Sequence, residues 1–303
     1  INTIDYLTIN DQMPASIIVS VDSEQMKRTK ETLHRKTNPS GMAEENELFI
    51  FNELIPFIEK NYKASKFRVL IGHSRYGYLT TYLFEKRLNQ LNGIISLSPF
   101  FTTQKNMNLT DSIIKVNSYK GKQTKYYRYG IGNDFPKEFE NMEQSLKLLD
   151  NKFINAKGIL LPEAYHNVTP GLIAPLAIYE IFEYWSEQLN LFFDISNKNI
   201  NQLEIASKNI ENHYGEKLRP SIGILNGKGW EFYNDKEYEK AIEIWEILLT
   251  EYPNYSEGYL NIIWAQEELK LDTKQTKERL INNLKQSEFY SNSEKKEILK
   301  EIE

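Results

Sequence analysis

Ser74 lies between an apolar run that predicts a strand and a stretch that predicts a helix, in the segment Val69-Leu-Ile-Gly-His-Ser-Arg-Tyr-Gly77. This is the context of a nucleophile elbow, a tight turn that exposes the serine Oγ above a sheet. The helix that follows directs backbone N–H groups at the serine, so the N–H of Arg75 is a candidate oxyanion donor. Gly72 meets the need for a small residue two positions before the serine. Tyr76 stands two positions after it, where glycine is usual, and a glycine follows one residue later.

A serine nucleophile needs a histidine base and an acid that orients it, and in this architecture the chain order is serine, acid, histidine. His166 lies in the loop after the last clear strand, and Asp134 follows an earlier strand in a loop loosened by two glycines. We therefore predict that His166 takes the Ser74 proton and that Asp134 holds the tautomer of its imidazole. Glu138 and Glu163 are alternative acids, and a serine–histidine pair without a firm acid is a further alternative.

The other histidines fit the role of base less well, and the chain has only four. His73 adjoins the serine, so its side chain is expected to point away from the Ser74 Oγ. Together with Tyr76 it is a candidate substrate-binding residue. His34 lies in a charged loop and His213 in the helical C-terminal part.

The composition excludes several other classes of site. The chain has 303 residues and no cysteine, which excludes disulfides, thiolate metal sites and cysteine nucleophiles. Its net charge of −5 does not favour a nucleic-acid partner. No apolar run approaches the ~20 residues that span a bilayer, and no metal-binding or phosphate-loop motif occurs, so no membrane span, metal or cofactor is predicted. The chain begins with Ile1 rather than Met and has no signal-peptide pattern, so we expect a mature product or a fragment whose precursor N-terminus is not visible. We expect a soluble bacterial protein, with the cytoplasm and export to the periplasm left as alternatives.

The first two-thirds of the chain alternates strand-like and helix-like runs, which predicts an α/β fold with a mostly parallel sheet. Strands are predicted at 17–21, 67–71, 93–98, 126–131 and 158–161, and helices at 47–59, 80–87, 137–150 and 170–188. Beyond about residue 190 the pattern predicts helices only. We predict an α/β-hydrolase domain over residues 1–190 and a helical domain over residues 191–303.

The helical part contains one repeat-like segment. Residues 222–253 fit the 34-residue tetratricopeptide pattern, and the residues at the expected offsets are Gly229, Phe232, Ala241, Trp245 and Pro253. Residues 256–286 could hold a second, degenerate unit. Because fewer than three repeats rarely stand alone, we expect residues 222–286 to pack on the first domain, on a second copy or on a protein partner. A structural cap or oligomer contact and a peptide-binding groove are the alternatives.

Five segments occur in one order and together carry a family resemblance: Ile17–Val21, Met26–Leu33, Asn52–Tyr62, Ile71–Ser74 and Ser96–Phe100. In this order they resemble the putative-esterase family of α/β-hydrolases, which contains esterase D and the enterobactin-esterase-like enzymes. The resemblance covers residues 4–188 and extends to a subgroup with a tetratricopeptide-like C-terminal extension, which is most similar to the siderophore esterases. It implies a serine carboxylesterase without a cofactor, and it places Ser74, His166 and Asp134 at the positions of the triad.

The resemblance implies further site residues. A second oxyanion donor comes from the backbone near Asp22 or Ser23. Arg28 matches an arginine that the family places near its active site, where it could bind an anionic or catecholate-like group or form a surface salt bridge. The chain departs from the family at Tyr76, where glycine is usual. It also lacks the first strands that precede the segment matching Ile4, so we expect it to be incomplete at its N-terminus.

These observations predict a serine hydrolase that cleaves a small-molecule carboxylic ester through an acyl-enzyme on Ser74. The alternative is a catalytically weak or inactive hydrolase-fold protein that serves as an interaction module through its helical domain.

Overall fold

The computed structural model describes residues 2–21, 30–104 and 107–302. The chain divides into two compact units. The first combines Ile1–Leu7, Ser16–Tyr184 and Ile210–Leu218, and the second combines Thr8–Ala15, Trp185–Asn209 and Arg219–Glu303. Because three of these divisions fall inside helices, the domain boundary at residue 190 stays a prediction.

Six strands occur among the described residues: β1 (Val69–His73), β2 (Gly93–Leu97), β3 (Thr102–Gln104), β4 (Met107–Asn108), β5 (Lys125–Ile131) and β6 (Ile154–Leu160). Four of them form a parallel sheet in the order β1-β2-β5-β6, and β3 pairs with β4 in a short antiparallel ribbon. The central strands β2 and β5 are buried along their whole length. Uninterrupted apolar runs are typical of strands that are covered on both faces by helices, and the predicted parallel sheet is confirmed.

The helices before residue 215 are α1 (Asn2–Ile9), α2 (Ala43–Leu48), α3 (Ile55–Tyr62), α4 (Arg75–Arg87), α5 (Leu109–Ser112), α6 (Pro136–Leu146), α7 (Thr169–Phe193) and α8 (Asn201–Tyr214). A π-helical segment, Phe49–Leu54, joins α2 to α3, so the helix predicted at 47–59 is part of a longer helical stretch. The core of the first unit packs Tyr78, Leu83 and Phe84 of α4 with Tyr127 of the sheet. The long helix α4 therefore has a rigid support directly after the candidate nucleophile.

The second unit is built from helices, and those after residue 220 are α9 (Ile222–Asn234), α10 (Tyr238–Glu251), α11 (Glu257–Glu268), α12 (Lys274–Gln286) and α13 (Asn292–Lys300). At the crossing of α9 and α10, a Cβ on Gly229 would lie 2.3 Å from the Trp245 indole nitrogen. All four tryptophans of the chain, including Trp185, lie in this unit. The all-helical C-terminal region is confirmed, and its tetratricopeptide character stays a prediction. In the described part of the chain, no helix is both long and apolar enough to cross a membrane.

The strand predicted at residues 17–21 is wrong. These residues have no regular secondary structure, and Ile17, Ile18, Val19 and Val21 are each more than 40% exposed. An apolar, β-branched run becomes a strand only when a neighbouring strand completes its hydrogen-bond ladder. None of the described strands pairs with this run, so its composition alone misled the prediction.

Glu85 on α4 is a half-buried carboxyl group whose charge depends on pH. The Ser112 hydroxyl lies 2.8 and 2.7 Å from its two oxygens. Burial raises the pKa of Glu85 to about 7, against the smaller opposing effects of Ser112 and Lys115. Because the folded pKa lies above the ordinary value of 4.5, the stability that this group contributes is complete below pH 4.5. That stability is lost as the pH rises through about 7.

We expect Glu85→Gln to remove this dependence. The quantity to compare is the difference in the free energy of unfolding, variant minus wild type, measured by urea denaturation at each pH. This difference should increase by about 3 kcal/mol between about pH 4.5 and about pH 8.5. Glu140→Gln changes an exposed glutamate of α6 and is the matched control. A difference between Glu85→Gln and wild type that stays constant over this range would contradict the prediction.

Candidate active site

Ser74 occupies the turn between β1 and α4, as the elbow prediction requires. Its backbone has φ 59° and ψ −117°, a strained conformation for a residue other than glycine. Its N–H donates to the carbonyl of Leu97 at 2.8 Å, and its own carbonyl accepts from the N–H of Tyr78 at 3.1 Å. The serine is half-buried. The main chain thus holds Ser74 at the carboxyl end of the sheet.

Two glycines allow the close crossing of α4 over β1 and β2. A Cβ on Gly72 would lie 2.3 Å from the carbonyl oxygen of Tyr76. A Cβ on Gly77 would lie 3.0 Å from the Ser96 Oγ. The side chain of Tyr76 packs against the hydrophobic core, and its buried hydroxyl has no hydrogen-bond partner among the described residues. Gly77 therefore allows α4 to approach β2 closely. Tyr76 occupies the position where glycine is usual without blocking the turn.

Gly72→Ala is expected to distort this turn, because its new Cβ would overlap a backbone carbonyl that cannot move independently of α4. We expect a loss of about 1–3 kcal/mol in the free energy of unfolding, together with loss of ester turnover. Gly171→Ala, at the start of α7, is the matched control because no atom lies within 4 Å of its Cβ position. Thermal denaturation and turnover of a simple ester measure both effects. A Gly72→Ala protein as stable and active as Gly171→Ala would contradict the prediction.

The structure brings His166 and Asp134 together. The Nδ1 of His166 lies 2.5 Å from the Oδ2 of Asp134, and the two side chains are 32% and 11% exposed. With Nδ1–H donating to the carboxylate, the lone pair remains on Nε2, which is the atom a general base uses. The ring of Phe135 contacts the imidazole edge-to-face with centroids 5.8 Å apart. The imidazole thus has a fixed orientation and one free nitrogen.

Main-chain contacts position the Asp134 loop against the His166 loop. Gly132 donates its N–H to the Oδ1 of Asp134 at 3.1 Å, and the N–H of Asn133 donates to the carbonyl of Ala164 at 2.8 Å. A Cβ on Gly132 would lie 2.0 Å from that same carbonyl oxygen, so the glycine is needed for the approach. Burial would raise the pKa of Asp134, but hydrogen bonds from His166, from its own backbone and from Ser98 hold it below the usual value.

His73 links the end of β1 to the loop after β6. Its Nε2–H donates to the carbonyl oxygen of His166 at 2.9 Å, and the two rings lie 4.6 Å apart. Burial lowers the pKa of His73, against the smaller opposing effect of this hydrogen bond. The neighbour of Ser74 therefore contacts the main chain of His166. Through this contact, the loop after β6, which carries the candidate base, reaches the end of β1 beside the candidate nucleophile.

The remaining predicted site residues are located as follows. Asp22, Ser23 and Arg28 lie outside the described residues. Arg75 is the first residue of α4, the position from which its N–H was predicted to act as an oxyanion donor. Glu163 is exposed in its loop. Glu138 lies on α6, and the acid that the structure places on the His166 Nδ1 is Asp134.

The remaining two histidines make contacts elsewhere. The Nδ1 of His34 lies 3.2 Å from Glu44, and the Nε2 of His213 lies 2.6 Å from the Tyr126 hydroxyl. No group of three or more His, Asp or Glu side chains within the described part of the chain is arranged to hold a metal ion.

Two side chains beside the site were not predicted from the sequence. Thr169 donates its hydroxyl to the carbonyl of His166 at 2.9 Å, and its Oγ1 lies 2.7 Å from the Oγ of Ser98. Ser98 follows β2, so it shares the carboxyl edge of the sheet with Ser74 and Asp134. A polar residue directly after a buried strand was the available signal, since parallel strands end at one edge.

A parallel sheet covered by helices, with a serine at a strained strand-to-helix turn, defines the α/β-hydrolase class. The family model described as "Putative esterase" matches residues 2–167, more than half of the chain. The chain belongs to this esterase family and is a hydrolase of that family.

Two solved structures are similar to the chain. An uncharacterised protein from Capnocytophaga ochracea has a TM-score of 0.53 at 11% identity, over 99% of this chain and 85% of that one. An IroE-like serine hydrolase from Shewanella oneidensis has a TM-score of 0.53 at 18% identity, over 81% of this chain and 76% of that one. At these identities the likeness concerns the fold. Among curated proteins, none matches the chain.

Proposed function

We propose that the protein hydrolyses carboxylic esters through an acyl-enzyme on Ser74, with His166 as the base and Asp134 as the acid that orients it. The observation that carries the proposal is the 2.5 Å contact between His166 Nδ1 and Asp134 Oδ2. The main chain of the His166 loop is bonded to His73, the neighbour of Ser74. The name of the Shewanella structure, a serine hydrolase, supports the same chemistry.

In the first half of the reaction, the Ser74 Oγ attacks the ester carbonyl carbon while its proton passes to Nε2 of His166. The carbonyl electron pair moves to the oxygen, and the resulting oxyanion is stabilised by the N–H of Arg75, which begins α4. The oxyanion then re-forms the carbonyl, the bond to the alcohol oxygen breaks, and Nε2 gives its proton to the leaving alcohol. The acyl group remains on Ser74.

In the second half, His166 removes a proton from water, and the hydroxide oxygen attacks the acyl carbon. Collapse of this second tetrahedral intermediate breaks the bond to the Ser74 Oγ, which recovers its proton from Nε2. The carboxylate of Asp134 stays ionised and stabilises the imidazolium at both stages. These steps need no cofactor, and the substrate is a small-molecule carboxylic ester.

We also propose that residues 191–303 form a helical domain with tetratricopeptide-like repeats, and that residues 222–286 are its surface for a partner or a second copy. The fully buried Phe232, Ala241 and Trp245 support the proposal, because they occupy the interlocking positions of one repeat. The approach of Gly229 to Trp245 supports it further. The helices α11 and α12, which contact each other, are the candidate second repeat.

A fluorophosphonate probe tests the proposed nucleophile directly. Trypsin cuts after Arg68 and Arg75, so the peptide of residues 69–75 contains Ser74 as its only serine. We expect a stoichiometric phosphonate adduct on this peptide in the native protein and none in heat-denatured protein. An adduct on another peptide would assign the nucleophile to a residue of that peptide instead of Ser74. The absence of any adduct would favour an inactive hydrolase fold that serves as an interaction module.

A further inference from the structure

The main chain of His166 is held by two side chains. Its carbonyl oxygen accepts from the His73 Nε2–H at 2.9 Å and from the Thr169 hydroxyl at 2.9 Å. A carbonyl oxygen has two lone pairs, so both are used. The imidazole can contact Asp134 only when the His166 main chain lies within a limited range of positions. The two hydrogen bonds to the His166 carbonyl hold the main chain at one such position.

The hydroxyl of Thr169 continues to a second buried hydroxyl. Its Oγ1 lies 2.7 Å from the Ser98 Oγ, and neither residue has any exposed surface. Ser98 has φ 42°, a left-handed conformation that is strained for serine, and its N–H donates to the carbonyl of Gly130 at 2.7 Å. A buried, strained residue with a polar side chain persists only when its surroundings hold it, and such residues cluster at functional sites.

The protons of the two hydroxyls have one arrangement that makes both hydrogen bonds. Thr169 donates its single proton to the His166 carbonyl, so its Oγ1 accepts from the Ser98 hydroxyl. Buried hydroxyls therefore connect Ser98, the residue directly after β2, to the main chain of the candidate base.

We propose that Ser98 and Thr169 are positioning residues, a buried hydroxyl pair that fixes the His166 main chain relative to the end of β2 and so holds the imidazole against Asp134. The inference rests on the proposed function, because it concerns the geometry of the His166–Asp134 pair during proton transfer. Neither hydroxyl touches the reacting atoms. Their loss should therefore displace the imidazole rather than remove a catalytic group, and small displacements in a proton-transfer geometry lower kcat strongly.

The test compares Thr169→Val, Ser98→Ala and the double variant on a p-nitrophenyl ester, with active sites counted by completed fluorophosphonate labelling. We expect each single variant to lower kcat per labelled site by about 10- to 100-fold with KM changed by less than about twofold. The double variant should lose less than the product of the two single losses, because both hydroxyls serve one connection. Thr169→Ser keeps the hydroxyl and should restore most of the activity.

Two further variants separate positioning from stability. Ser98→Gly removes the hydroxyl, and glycine adopts the left-handed backbone without strain. The thermal midpoint of this variant should therefore be no lower than that of Ser98→Ala, while its kcat should still be reduced. Thr110→Val removes another buried hydroxyl, which lies on α5 and donates to the Asn108 side chain, and it should leave kcat unchanged.

If Ser98→Gly and Thr169→Val both keep the wild-type kcat per labelled site, Ser98 and Thr169 are not positioning residues. This result would leave the proposed acyl-enzyme on Ser74 intact. Failure of the wild type to label at Ser74 would overturn the proposed function itself. The two failures are therefore distinguishable.

Discussion

Ser74→Ala is expected to lower kcat for a p-nitrophenyl ester by about 10⁶-fold and to abolish fluorophosphonate labelling of the peptide of residues 69–75. The reason is that alanine lacks the oxygen that forms the acyl bond, while the turn between β1 and α4 keeps its backbone. The double variant Ser74→Ala/His166→Ala should be no slower than Ser74→Ala alone, because the nucleophile and its base act as a unit.

Steady-state turnover and labelling measure this prediction, with circular dichroism to verify that the variant is folded. Ser40→Ala changes an exposed serine whose hydroxyl bonds to Asn38, and it is the matched control. Activity in Ser74→Ala above about a hundredth of the wild-type value would contradict the assignment, since removal of a triad member leaves far less.

Asp134→Asn is expected to lower kcat by about 10⁴-fold. The asparagine amide would donate to Nδ1 of His166, so the proton of the neutral imidazole would shift to Nε2 and the base would lose its lone pair. The side-chain volume hardly changes, so KM and the thermal midpoint should stay close to wild type.

The two other candidate acids provide matched controls. Glu163→Gln changes an exposed loop residue, and Glu138→Gln changes a residue of α6. Both variants should keep kcat within a few-fold of wild type. A larger loss in Glu138→Gln or Glu163→Gln than in Asp134→Asn would transfer the role of the acid to that glutamate.

The sheet could be predicted from the sequence because its strands carry a local signal. The runs at 67–71, 93–98, 126–131 and 158–161 overlap β1, β2, β5 and β6, because strands of a parallel sheet are rich in apolar and aromatic residues. The run at 17–21 has the same composition and is not a strand. Whether residues 17–21 form a strand depends on hydrogen-bond partners elsewhere in the chain, and the composition of the run does not encode these partners.

The chain order of serine, aspartate and histidine was also readable from the sequence, because each follows a predicted strand and parallel strands end at one edge. The Ser98–Thr169 pair was not readable, since its two residues are 71 positions apart and meet only through the packing of α7 on the sheet. That Gly77 takes the place of the glycine missing at position 76 could not be predicted from the sequence for a similar reason. It depends on where α4 crosses β2, which is a tertiary contact.

The distribution of tryptophan has a practical consequence. All four indoles belong to the second unit, whereas Ser74, Asp134 and His166 belong to the first. Trp185 and Trp245 have no exposed surface, so their emission will move to longer wavelength when water reaches them on unfolding. Selective excitation of tryptophan therefore follows the second unit alone, while the release of p-nitrophenolate follows the first. A single denaturant titration with these two optical signals would reveal whether the helical unit melts independently of the hydrolase unit.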